Sequence, residues 1–153
     1  MKFRKTTVED INNVMKIINE AKEYFRKNRV DQWQNGYPNS DTIYNDIKKN
    51  SSYVLESENK ILATAMVSFE EDKTYKKIYN GEWLNSGNYA VIHRIAVSEK
   101  VKGNGIASAI IKEVESLCKE NRVNSIKIDT HKDNISMQKL LEKNDFKYCG
   151  IIY

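Results

Sequence analysis

Two cysteines in 153 residues are too few for a disulfide framework, which points to a reducing cytoplasm. Cys118 and Cys149 are therefore read as free, packed thiols, the second of them in a final strand. No apolar run approaches the length of a membrane span, and the opening MKFRKTTVED has no signal-like apolar core, so neither a membrane nor an export role is expected. Two histidines and scattered cysteines offer no metal-ligand spacing, and no metal is expected. The chain also lacks a charge bias: 25 basic and 21 acidic residues are interspersed, and the net +4 is a weak pull toward anions that builds no nucleic-acid-binding stripe. There is no internal repeat or low-complexity tract. The length bounds the fold to one domain, residues 1–153, large enough for a proper core.

What is present is concentrated in Val91 to Ala107, VIHRIAVSEKVKGNGIA. The β-branched run Ala90 to Val97 reads as a strand, and Ile106, Ile110, Val114, Leu117 and Cys118 then recur at helical spacing. A long amphipathic helix should start near Asn104 or Gly105, with Gly103 and Gly105 at its mouth. A helix start leaves backbone N–H groups without partners at the positive end of the dipole, and it attracts phosphate. Glycine permits close approach to that backbone, and Lys100 and Lys102 add charge. A P-loop is excluded, since no Gly-x-x-x-x-Gly-Lys-Ser/Thr run occurs. A dinucleotide fingerprint is a nearer alternative, with Asp129 roughly where a ribose-binding acid belongs. Against it, Ser108 stands in place of the third glycine, and too little chain follows to complete that sheet.

Lys102-Gly103-Asn104-Gly105-Ile106-Ala107 resembles the pyrophosphate-binding signature of the GNAT superfamily of N-acetyltransferases, Gln/Arg-x-x-Gly-x-Gly/Ala. Lys102 departs from it, keeping the charge without the planar fork of arginine. A second block, Asn134 to Phe146, is similar to the family's Asn-x-x-Ala-x-x-Leu-Tyr-Glu-Lys-x-Gly-Phe, with Leu141 at the tyrosine and Asp145 at the glycine. The resemblance implies an α/β (α+β) fold, a central mixed sheet flanked by about four helices. It also implies acetyl-CoA as co-substrate and an amine of a small molecule or peptide as acceptor. The cofactor-binding residues it implies are Ile95, Ala96 and Val97 along the strand, Lys102 to Ala107 at the helix mouth, and Asn134, Met137 and Lys143 in the later block. Asn134 is in addition a natural helix N-cap.

An alkylammonium must lose a proton before it attacks a thioester. His93, placed by alternation on the strand face of Val91 and Ile95, is the candidate base, because imidazole titrates near neutrality. Arg94 should point to the other face and pair with a carboxylate, while His131 reads as a solvated loop residue. Trp33 and Tyr37, in the loop Asp31 to Pro38, and Trp83, in a charged insertion between Glu70 and Asn88, are the candidate acceptor contacts. The insertion otherwise reads as a solvated excursion. The family's tyrosine protonates the departing thiolate, which Leu141 cannot do. A non-catalytic acyl-CoA-binding sensor is therefore the rival reading.

The remaining chain reads as β-α-α-β-β-β-α-β-α-β. It has a first strand at Lys2 to Lys5 and a helix opening at Thr7 with Asp10. A short helix carries Ile43 and Ile47, and a hairpin joins Tyr53–Glu56 to Ile61–Phe69. The family usually adds a further strand after the segment that follows Phe146. A homodimer partner, an open edge or a shorter sheet would account for its absence.

Overall fold

Thr7 and Asp10 open the first helix as their spacing suggests: the Asp10 carboxylate accepts the Thr7 backbone N–H at 2.7 Å, and a single 3-10 turn leads into α1 (Ile11–Lys27). In α2 (Ser40–Lys48), Asn39 caps the start by accepting the Thr42 N–H at 3.0 Å. The computed structural model describes every residue from Met1 to Tyr153. Its strands are β1 (Lys2–Lys5), β2 (Ser52–Ser57), β3 (Lys60–Ser68), β4 (Ala90–Val97) and β5 (Ile126–Lys127). Two further helices, α3 (Ile106–Glu120) and α4 (Ile135–Lys143), complete the fold. The expected hairpin is present, and its two central residues, Glu58 and Asn59, both take positive φ, as a tight two-residue β-turn requires.

The strands lie in the order β1-β2-β3-β4-β5. The first four are antiparallel neighbours and the last pair is parallel, so the sheet is mixed, as expected. One face is covered by Ile106, Ile110, Ile111, Val114 and Cys118 of α3, packed on Leu55, Ala63, Ala65, Val67, Ala90 and Ile92. On the other face Val14 and Ile18 of α1 and Ile43 of α2 meet Val54. Each such aliphatic side chain contributes about 1.5–3 kcal/mol of burial, so both faces are strongly specified.

Two expectations fail here. The insertion after β3 is a folded flap: Tyr75 is 2% exposed, and it carries Trp83 and Tyr89 against its ring. The segment after α4 forms no sixth strand, and Cys149 is only half-buried. Instead Tyr79 and Ile151 exchange backbone hydrogen bonds at 2.8 Å, so the flap meets the chain's own last residues. The contact is close: a Cβ on Gly81 would lie 1.8 Å from the Cys149 carbonyl oxygen. The sheet is therefore the shorter one.

On β1, the Arg4 guanidinium bridges Asp10, at 2.8 and 3.1 Å, and Glu56 of β2, at 3.2 Å. Hydrogen bonding from Arg4 holds both carboxyls below their ordinary range, against the opposing effect of burial. A carboxylate depressed in the folded state stabilises above its unfolded pKa, about 4, and loses that contribution as pH falls through the folded value. The melting temperature should therefore drop as pH falls below about 4, and Asp10→Asn should flatten that part of the fall in a melting series across pH.

Candidate active site

α3 begins where the spacing puts it, with both glycines at its mouth. Gly105 caps α3 at φ 74° and Gly103 lies at φ 82°, left-handed conformations that favour glycine. The N–H groups of residues 103 to 108 donate to no protein acceptor, and the first bond of the helix is Ala109 N–H to the Gly105 carbonyl. A Cβ at Gly103 or Gly105 would meet nothing within 4 Å, so the concavity stands open. Unpaired amides at a helix start form an anion site. Lys102 stands at its entrance with Nζ 4.1 Å from the centre of the Tyr24 ring.

β4 and β5 pair only at Ala90 with Ile126 and at Val91 with Lys127. Beyond that point they share no ladder, and Ile95, Ala96 and Val97 lie on the stretch of β4 past the divergence. A bulge explains the parting: Met66 faces His93 and Thr64 faces Ala96, so Arg94 and Ile95 together oppose Ala65 alone. Arg94 takes φ 52°, a strained value for a side-chain-bearing residue. Its guanidinium compensates by forking onto Asp46 of α2 at 2.7 to 2.9 Å and donating to the Tyr37 hydroxyl at 2.7 Å. The carboxylate partner expected for Arg94 is thus Asp46. The bulge also corrects the expected alternation, because Ile95 packs on the main core while His93 stays with Val91.

His93 and Val91 line a cleft of about 210 Å³ with Met66, Ser68 and residues 70 to 73 of the flap. His93 Nε2 lies 3.0 Å from Asp72 Oδ2, and Nδ1 lies 3.8 Å from Asp129 Oδ1, too far for a hydrogen bond. Burial pushes the Asp72 carboxyl up, but hydrogen bonds from Thr74 and His93 outweigh it and hold it below the ordinary range. Asp72 therefore stays ionised and fixes the imidazole. Sequence reading missed Asp72, since nothing local ties it to a histidine 21 residues away.

Asn134 caps α4 by accepting the Met137 N–H at 3.1 Å and donates to Gln32 at 3.0 Å. It lines a second cleft, of about 220 Å³, between the end of α1 and the start of α4. Lys143 lies in the last turn of α4. Asn144 donates to the Ser108 hydroxyl at 3.0 Å and so ties α4 to α3, while Asp145 takes the left-handed conformation, φ 66°, that the glycine of the resemblance would supply. Of the aromatic residues, Trp33 packs on the second core, edge-on to Phe25, and Tyr37 is exposed beside Arg94. Trp83 donates its indole N–H to the Tyr75 carbonyl, and Lys127 lies over its ring at 4.2 Å. His131 accepts the Asp133 N–H within the loop before α4. No group of three His, Cys, Asp or Glu side chains is placed to hold a metal ion, and no helix is long and apolar enough to cross a membrane.

A model described as the acetyltransferase (GNAT) family matches residues 14–146. A GNAT-family acetyltransferase structure from Streptococcus agalactiae superposes with a TM-score of 0.90 at 30% identity, covering 99% of this chain and 87% of that one. An S-alkylcysteine N-acetyltransferase from Bacillus subtilis is 27% identical over 114 residues, which is 74% of this chain and 58% of that protein's length. Unpaired amides at the mouth of α3, strands that part after Val91 and a family match over most of the length agree: the chain belongs to the GNAT family of acetyltransferases.

Proposed function

We propose that the protein is an N-acetyltransferase that moves an acetyl group from acetyl-CoA directly to an amine of a small molecule or peptide. The observation that carries this reading is His93, fixed by Asp72 at one nitrogen and free at the other, in a cleft beside the point where β4 leaves β5. The relative that acetylates S-alkylcysteine supports nitrogen as the accepting atom.

The chain's residues divide the work. The amides of Gly103 to Ala107, with Lys102, take the pyrophosphate of the co-substrate, and the freed edge at Ile95, Ala96 and Val97 takes its pantetheine arm. Asn134, Met137 and Lys143 of the α4 segment make the co-substrate's further contacts. With Nε2–H donated to Asp72, Nδ1 keeps its lone pair and accepts the proton of the incoming ammonium. The released amine then attacks the thioester carbonyl. Leu141 can offer no proton to the departing sulfur. Thiols are acidic, about 8.5 for a free cysteine, so a thiolate leaves without the protonation that an alkoxide needs. Tyr37 and Trp83 flank the acceptor, and Trp33 contributes by anchoring its loop.

Leu141 is also the observation that favours the second reading, a sensor that binds acyl-CoA without turnover. Release of free thiol from acetyl-CoA across a panel of small amines and peptides separates the two. The enzyme reading expects release that depends on the amine, whereas tight acetyl-CoA binding with no release from any amine would establish the sensor.

A further inference from the structure

Asp129 has an arrangement that the proposed chemistry has not used. It lies two residues beyond β5, and its Oδ1 accepts the Tyr75 hydroxyl at 2.6 Å. Tyr75 is the most deeply buried polar anchor of the flap, 2% exposed, with its carbonyl pinned by the Trp83 indole at 2.9 Å. Burial first, and then the Asp129 charge, keep that phenol neutral and therefore a donor. Yet the Asp129 side chain is 43% exposed, and its Oδ2 has no protein partner.

A buried hydroxyl thus holds a half-open carboxylate 3.8 Å from His93 Nδ1, the nitrogen that has no hydrogen bond. The imidazole stands between two carboxylates and is bonded to only one. An ammonium group suits the gap, because it has three N–H donors. It can give one to a carboxylate while presenting another to the imidazole lone pair. The cleft that His93 lines on its Asp72 side carries the same sign: Glu70 and Glu71 line it and form no ion pair, and Lys73 is its one lysine.

We infer that Asp129 binds the acceptor as its ammonium beside His93, and that the acceptor is a cationic amine with no carboxylate next to the reacting nitrogen. This rests on the N-acetyltransferase reading. In the step, a proton passes from the ammonium to His93 Nδ1 and leaves the nitrogen its lone pair. The N–C bond forms as the C–S bond breaks, and the electron pair leaves on sulfur. The acylated nitrogen gives its second proton to the thiolate, directly or through water, so that a neutral amide and a free thiol result, and the His93 proton passes to water. Tyr75 acts through Asp129 as a positioning residue.

The test is calorimetric titration of the full chain, saturated with coenzyme A, using n-butylamine and S-methylcysteine as probes. Charge-assisted hydrogen bonds of this kind change affinity by about ten- to a hundredfold. Asp129→Asn should weaken n-butylamine by that factor while keeping the melting shift given by coenzyme A. Tyr75→Phe should lose part of the affinity, and Asp129→Glu, which retains the charge, should recover part of it. S-Methylcysteine should bind the wild type at least about tenfold more weakly than n-butylamine. Equal n-butylamine affinity in wild type and Asp129→Asn, no n-butylamine binding by the wild type, or tighter S-methylcysteine binding would each overturn the inference. Thiol release tells the two failures apart. Acetyl transfer to S-methylcysteine that is undiminished in Asp129→Asn removes this inference alone, and no transfer to any amine removes the N-acetyltransferase reading beneath it.

Discussion

Replacing His93 with glutamine should lower the turnover number of acetyl transfer at neutral pH by about a hundredfold or more, the range that a positioned general base supplies. Glutamine keeps a donor within reach of Asp72, so the loss isolates the proton-accepting nitrogen from the packing around it. The melting temperature should stay close to wild type, since His93 lies at the cleft and outside both core clusters. Acetyl-CoA affinity should also hold, because the helix-mouth amides lie on another element. The diagnostic is the pH profile of kcat. In the wild type the rate falls on the acid side as the base is protonated, and the variant should lose that limb. A variant that kept its rate but lost melting temperature would make His93 a packing residue.

Why this histidine could be nominated from the sequence, and its partners could not, follows from the distances along the chain that each feature spans. Strand character at Ala90 to Val97 and the helical period from Ile106 are local, and both elements appear as read. The cap at Asn134 is local too, because a side chain bonding an N–H three residues on is written in the spacing. The bulge is different. Ala90 to Val97 is uniformly strand-like, and the positive φ at Arg94 is sustained by Asp46, 48 residues earlier and on another helix. Simple alternation therefore placed Ile95 with His93, and the structure separates them.

The flap failed as a solvated excursion for a related reason. Its charged composition conceals Tyr75, which a hydroxyl bond to Asp129, 54 residues on, and an indole bond from Trp83 draw into the interior. Its Asp72 then reaches His93 on β4. Polarity along a segment says how much of it meets water, while the two or three residues that do not are fixed by partners elsewhere. The final strand of the sequence reading is absent for the same reason: Ile151 pairs with Tyr79 of the flap instead of a sheet edge.

Gly105→Val tests the anion site by the size of a melting shift. A ligand at a hundredfold excess over its Kd stabilises the folded state by about 2.7 kcal/mol. For a domain of this size about 2–4 °C accompanies each kcal/mol, so coenzyme A should raise the wild-type melting temperature by roughly 5–10 °C. Gly105 lies at φ 74° with open space around it. A β-branched side chain there is strained by about 1–3 kcal/mol, and it projects into the concavity that the free amides form. The variant should fold with a lower baseline and show little or no shift. Gly36→Val separates strain from occlusion, since Gly36 has a similar φ of 76° and equally open surroundings in a loop remote from α3 in sequence. It should lose baseline stability and keep the full shift. If coenzyme A moved Gly105→Val as far as wild type, the phosphate would have to bind elsewhere, and the assignment of Lys102 to Ala107 would fall with it.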